Sequence, residues 1–182
     1  MTKQLKPFRD YSEHDVLNLF TLDGEYPAGT FVTAKADGFV SDANPLFADD
    51  SFVEGSLSAR FTVPAIAKAC DPNTPANKVI GMTLKDLKNR DENGYPLKWE
   101  PKKAAERDVV ISGEAVPIVR RGVFLYKGIE SVGQINFGDQ LGISAVGGTR
   151  LVVLDAPSSN LVVGRTLGTP DKDGFTLIQI DL

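Results

Sequence analysis

Apolar residues in this chain come in short runs, and almost every run is closed by Gly, Pro, Asp or Asn. Runs of that length bounded by turn residues are the pattern of β-strands. Strands are expected at 30–33, 60–65, 78–84, 109–112, 115–119, 123–126, 140–144, 150–154, 161–167 and 175–182. Many short strands at close spacing point to an all-β fold, a compact β-barrel or sandwich with long loops and at most one or two short helices. Residues 15–22 fit two patterns. Ser12 with Asp15 could cap a helix carrying Val16, Leu17, Leu19 and Phe20, but alternation fits as well, and the reading leans to strand. Residues 100–107 are the best helix candidate, entered at Pro101, and 65–69 could add one helical turn.

Two segments break the rhythm. Residues 36–58 hold Asp37-Gly38, Asn44-Pro45 and Asp49-Asp50, and read as an irregular excursion carrying Phe39, Phe47 and Phe52. Exposed phenylalanines are unusual on a monomer, so this loop either packs back on its own domain or meets a partner. The second is the stretch near 85–100, where Asn93-Gly94 suits a tight reversal at the tip of a projecting hairpin. The chain is therefore read as an N-terminal arm, residues 1–12, followed by one β-rich domain over 13–182. There is also an internal echo. Lys78-Val79-Ile80-Gly81-Met82-Thr83-Leu84 resembles Leu161-Val162-Val163-Gly164-Arg165-Thr166-Leu167, and a turn built on Asp and Gly follows each. Gly inside a strand marks a bulge or a tight bend, so the echo suggests a duplicated barrel edge, although six matching positions could also arise by chance.

Composition narrows the function classes. With 42% hydrophobic and 24% charged residues the chain is an ordinary globular one, and 17 Gly and 11 Pro, scattered along it, favour many short elements. The formal charge of −4 argues against nucleic-acid binding, which gains affinity by neutralising phosphates. Lys3, Lys6 and Arg9 make the first nine residues locally basic, either a solubilising terminus or an arm for an acidic surface. A single cysteine, Cys70, allows no internal disulfide. No signal peptide is expected at residues 1–10, and no run approaches the ~18 apolar residues of a membrane helix.

Candidate chemistry is sparse. His14 is the single histidine, which excludes a multi-His metal site and leaves a catalytic triad only one base to use. Cys70 has Lys68 as its one nearby cation, a poor setting for a reactive thiolate. Gly147-Gly148-Thr149 lacks the Lys of a phosphate loop. Asp171-Lys172-Asp173-Gly174 is read as a hairpin turn; a weak calcium site borrowing Asp155 is its alternative. Asp49-Asp50 and Asp91-Glu92 are paired carboxylates in loops, and a hydrolase would have to draw on Asp49 or Asp91. The mixed charges of 85–108 form either a solvated face or a charge-complementary interface. The expectation is a binding protein with no catalytic residue, cofactor or metal.

Several stretches carry a resemblance. They are the opening from Arg9-Asp10-Tyr11-Ser12 to Thr30-Phe31-Val32, then Gly81-Met82-Thr83-Leu84 leading into Arg90-Asp91-Glu92-Asn93-Gly94, then Pro101-Lys102-Lys103-Ala104-Ala105-Glu106 leading into 110–119, and finally 162–168 through Asp173-Gly174-Phe175. Together they resemble the head decoration (cement) proteins of tailed bacteriophages. The resemblance implies a compact β-barrel, usually a homotrimer, seated on the outer capsid surface of the virion, where it reinforces joints between subunits of the major capsid protein. It implies neither nucleic-acid nor membrane partners, and synthesis in the host cytoplasm. Lys3, Lys6, Arg9, Phe39, Phe47, Phe52 and Asn93 are the expected capsid or intersubunit contacts. A tail- or fibre-associated module recognising host glycan is the alternative.

Overall fold

The computed structural model describes residues 4–22, 24–39, 65–130, 134–155 and 161–182. The all-β expectation holds. Two curled sheets, each a half-barrel, carry nearly all the regular structure, and α1 (Pro101–Glu106) is the one α-helix among the described residues.

Strand β1 (Leu5–Asp10) opens the chain. The first half-barrel is built from β2 (Val16–Leu17), β3 (Phe20–Leu22), β4 (Phe31–Phe39), β5 (Ala65–Ala69), β6 (Val79–Thr83) and, after an insert, β9 (Ile118–Val119). The insert contains α1 and a parallel pair, β7 (Asp86–Leu87) with β8 (Val109–Val110). The second half-barrel takes β10 (Arg121–Tyr126), β11 (Ile129–Glu130), β12 (Gln140–Ser144), β13 (Gly147–Val153), β14 (Gly164–Thr166) and β15 (Thr176–Asp181), with β1 added at its edge.

The two sheets have one topology. The first runs β2-β9-β6-β4-β5-β3 and the second, beyond β1, runs β10-β15-β14-β12-β13-β11. In chain order these are the same six strands twice. The first four neighbour pairs of each sheet are antiparallel, and the fifth, β5 with β3 or β13 with β11, is parallel. Register agrees as well. Val32 opposes Gly81 and Ala69 as Leu141 opposes Gly164 and Val153, and Thr83 opposes Ile118 as Thr166 opposes Ile178. Leu17 and Leu22 thereby correspond to Phe124 and Ile129.

The echo at 78–84 and 161–167 is the best-preserved part of this duplication. Thr83 N–H donates to the Thr30 carbonyl and its own carbonyl accepts from Gly29; Thr166 does the same with Asp139 and Gly138. Gly81 and Gly164 answer one steric demand. A β-carbon on either would sit 2.4 Å from a carbonyl oxygen of the neighbouring strand, that of Val119 or Gln179.

The halves stack face to back. The hollow of the second half is lined by Phe124, Leu141, Leu151, Val163, Ile178 and Ile180, and into it packs the outer face of the first half: Phe31, Val79, Met82 and Val119. The Phe31 and Tyr126 rings meet edge-on with centroids 6.3 Å apart. Completely burying side chains of this kind stabilises the fold by about 1.5–3 kcal/mol each, so this shared core is the main bond between the halves. Gly148 closes the joint. Its N–H donates to the Cys70 carbonyl at 2.8 Å, and any β-carbon there would lie 2.1 Å from the Phe31 carbonyl oxygen. The hollow of the first half, with Leu22, Val32, Ala67 and Ile118, is filled by Leu87, Val110 and Val116 of the insert.

Several expectations are corrected. Residues 65–69 form strand β5, not a helical turn, because they pair with β3 on one side and β4 on the other and bury Ala67. The N-terminal arm is largely a strand, since β1 pairs with β10 from Leu5↔Tyr126 to Asp10↔Val123. The irregular excursion begins later than 36, because β4 runs on to Phe39, which opposes Ala65 across a register shift. Its remainder, 40–58, and the expected strand 60–64 lie outside the described residues. Residues 15–22 split into β2 and β3 after a 3-10 turn at Glu13–Asp15, capped by the Ser12 hydroxyl. The projecting hairpin near 85–100 contracts to its tip, where Arg90 and Pro96 form a single bridge.

Candidate binding surfaces

The tip of the insert is a five-residue turn, Asp91-Glu92-Asn93-Gly94-Tyr95. Asp91 Oδ1 accepts from the N–H groups of Asn93 and Tyr95, both at 2.8 Å. The Gly94 N–H reaches back to the Asp91 carbonyl, and the Asp91 N–H donates to Tyr95. Gly94 has φ +83°, the left-handed conformation that favours glycine. The second half contains the same turn, Asp171-Lys172-Asp173-Gly174-Phe175. Asp171 Oδ1 accepts from Asp173 and Phe175 at 2.9 and 2.8 Å, and Gly174 has φ +81°. Asp171-Lys172-Asp173-Gly174 is therefore a hairpin turn, as its residues suggest, and Asn93-Gly94 occupies the corresponding place.

A lysine braces each turn. Lys103 of α1 lies 2.5 Å from Asp91 Oδ2, and Lys6 of β1 lies 2.8 Å from Asp171 Oδ2. Lys103 holds the Asp91 carboxyl below its ordinary value, opposed by burial and aided by the Tyr95 and Asn93 amides. Lys6 lowers Asp171 in the same way, with the Phe175 amide next in size. Glu92 and Arg107 form a further ion pair between turn and helix, and Lys85 meets Asp108 at 2.8 Å. The mixed charges of 85–108 thus brace the insert. Ion pairs at a surface add little stability, so their effect is to fix the orientation of the tip.

The structure distributes the expected contact residues widely. Lys6 is engaged with Asp171 and Asp173, and its ammonium lies 4.2 Å from the centre of the Phe175 ring. Arg9 opposes Phe124 in the sheet. Phe39 ends β4, and Asn93 is exposed at the turn tip. Lys3, Phe47 and Phe52 lie outside the described residues. Two aromatic residues of the same insert were missed in the sequence. Tyr95 is 64% exposed and Trp99, in the 3-10 turn Leu97–Trp99, is 72% exposed. Their signal was local: each stands in a polar setting within two residues of a proline, where no strand pattern explains an aromatic.

A second surface is the outer face of the second half. Phe137, 74% exposed, borders a shallow cleft of about 470 Å³ with Gln140, Arg165 and Gln179. Arg165 Nε donates to Gln179 at 2.9 Å. A second cleft, of about 550 Å³, gathers Lys35, Lys68 and Lys78 around Asp71, with Lys68 2.7 Å from Asp71.

Reactive groups are not brought together. His14 lies exposed in the 3-10 turn before β2, and Cys70 directly follows β5, which three strands separate from β2 in the sheet. The Cys70 thiol is buried, which, with Asp71 beside it, pushes its pKa up to about 12. Among the described residues no three His, Cys, Asp or Glu side chains are grouped to hold a metal ion. Asp91 is 8% exposed and saturated by a lysine and two amides; Asp49 lies outside the described residues. Asp91 is placed to organise a turn. No helix among the described residues is long and apolar enough to cross a membrane. Neither a protein-family model nor a curated protein sequence matches the chain.

Proposed function

We propose that this protein is a non-enzymatic virion structural protein that decorates a phage head, binding the outer surface at joints between major capsid subunits as a homotrimer. The observation that carries the reading is the exposed aromatic pair of the insert, Tyr95 in its braced tip and Trp99 in the 3-10 turn that follows. Exposed aromatics on a rigid support are the residues that anchor protein interfaces, because they bury large area at little conformational cost. Ion pairs on the flanks of the tip hold it in one orientation before any partner arrives, which lowers the ordering cost of binding. Three such tips on a trimer would act together on a symmetric lattice, raising avidity without new contacts. The resemblance of the sequence to head decoration proteins supplies the partner.

The test is co-sedimentation with purified heads stripped of their decoration. The intact protein should pellet with heads to a saturating ratio, and the double variant Tyr95→Ala with Trp99→Ala should lose at least ~10-fold in affinity, the effect of removing one or two interface anchors. Failure of the intact protein to bind heads would overturn the reading, and undiminished binding by the double variant would move the contact elsewhere. The same aromatic pair favours a second reading, a module that stacks on host glycan. Trp99 is the sole tryptophan, so its fluorescence reports sugar binding directly.

A further inference from the structure

The duplicated half-barrels pose a question that the proposed function leaves open: why the stack stops at two. The outer face of the first half enters the hollow of the second, and both halves have such a face and such a hollow. Shared strand order and register give the outer face of the second half the same backbone frame as the face that enters a hollow, so the first-half hollow of another molecule is its natural counterpart. A contact of that type joins different surfaces on the two partners and does not close on itself, so it leads to open chains.

We propose that the insert at residues 84–117 is a plug that occupies the first-half hollow and excludes a second copy of this chain. Two independent observations point to it. The first is what fills each hollow. Where the second half receives Phe31, Met82 and Val119 from its neighbour, the first half receives Leu87, Val110 and Val116 from the insert. The plug is fastened by main-chain bonds: Leu87 N–H donates to the Tyr26 carbonyl at 2.8 Å and Val116 N–H to the Phe20 carbonyl at 2.9 Å. The side chains of Thr21 and Asp86 add two more, accepting from the N–H groups of Gly113 and Ala28 at 2.9 and 2.7 Å. The equivalent connection in the second half, residues 167–177, is only the braced turn. It begins with the same bond, Leu167 N–H to Leu177 as Leu84 N–H to Pro117.

The second observation concerns the other end of the stack. Register places Gln140, Arg165 and Gln179 at the positions of Phe31, Met82 and Val119. The three residues that are fully buried in the first half are thus polar in the second, and Gln140 and Arg165 are exposed there. A polar face of this kind gains little by entering an apolar hollow, because its groups would lose water without assured partners. One end of the stack is filled, and the other is polar at the three matched positions, with Phe137 and Val162 as the apolar residues beside them.

The experiment changes each end and measures mass by sedimentation velocity over a range of concentrations. The first variant carries Gln140→Phe, Arg165→Met and Gln179→Val with the insert intact. These substitutions lie on the outer face, away from the shared core, and the variant should keep the wild-type mass because the plug still fills the hollow. The second variant combines the same three substitutions with replacement of residues 85–116 by residues 168–176 of this chain. It should form a concentration-dependent ladder of species above the wild-type mass. Association of the first variant to the same ladder would overturn the proposal, and so would a second variant that folds, by far-ultraviolet circular dichroism, yet stays at the wild-type mass. If the second variant does not fold, the three substitutions are combined instead with Leu87→Ala and Val116→Ala, which loosen the plug while keeping the insert; the ladder should then appear, and a wild-type mass would overturn the proposal.

Discussion

The two half-barrels share strand order, register and even a turn, yet their outer faces have opposite character. On the first half the positions of Phe31, Met82 and Val119 are buried to completion; on the second the matching positions hold Gln140, Arg165 and Gln179. Backbone hydrogen bonding therefore does not decide which residue stands there, since it is the same in both. What decides is the next layer. A face covered by another sheet excludes water and selects for large apolar side chains, while an open face selects for groups that water can satisfy. Constraints on the backbone itself survive the divergence, which is why Gly81 and Gly164 persist in both halves beside a carbonyl oxygen at 2.4 Å.

The sharpest way to break this comparison is to truncate matched positions. Phe31→Ala should cost about 3–5 kcal/mol, the usual loss for a buried phenylalanine. Gln140→Ala should stay within about 0.5 kcal/mol of wild type, as exposed substitutions do. Urea denaturation measures both, and equal costs would show that the two faces are not in the environments assigned to them. Next in size are Gly81→Ala and Gly164→Ala. Each should lose about 1–3 kcal/mol through overpacking against backbone, and by similar amounts. A large loss at one and none at the other would separate the two halves.

The paired turns predict a pH effect. Asp91 and Asp171 are both held below their ordinary value of 3.8, first by Lys103 and Lys6 respectively. A carboxyl whose folded pKa is depressed stabilises the fold above its unfolded pKa, and that stability is lost as pH falls through the folded one. Melting temperature should thus decline below about pH 4, and the double variant Asp91→Asn with Asp171→Asn should show a flatter acid limb. Identical acid limbs would remove the turns from the stability account. The smallest effect concerns Cys70 at the joint between halves. With its thiol pushed up to about 12 it holds almost no thiolate near neutrality, and the thiolate is the reactive form. Reaction with an aromatic disulfide reagent at about pH 8 should be at least ~100-fold slower in the folded protein than in denaturant.

Turns and most strands could be read from the chain because their signals are local. Asp, Asn and Gly at 91–94 and 171–174 specify a turn wherever they occur, and alternation marks β15, where Thr176, Ile178 and Ile180 face inward. Strand β5 could not be read this way. Ala65-Ile66-Ala67-Lys68-Ala69 has the residues of a helix, and only its two neighbours, β3 and β4, make it a strand. Strand β1 was obscured by its charges, since Lys6 reaches across to Asp171, a partner 165 positions away. The duplication was visible only at 78–84 and 161–167, where both copies obey the same steric rule; elsewhere the faces meet different surroundings and the residues have diverged. The exposed pair Tyr95 and Trp99 gave no periodic signal at all.

The face-to-back stacking of the halves is the central structural claim, and contacts between ring protons test it most directly. A nuclear Overhauser spectrum of the protein with labelled aromatic residues should connect the Phe31 ring to the Tyr126 ring, whose centroids are 6.3 Å apart. It should also connect the Gly148 amide to residues 31 and 70, across the joint that Gly148 closes. The absence of these cross-peaks in a spectrum that resolves all four residues would contradict the stacking, and with it the role given to the insert.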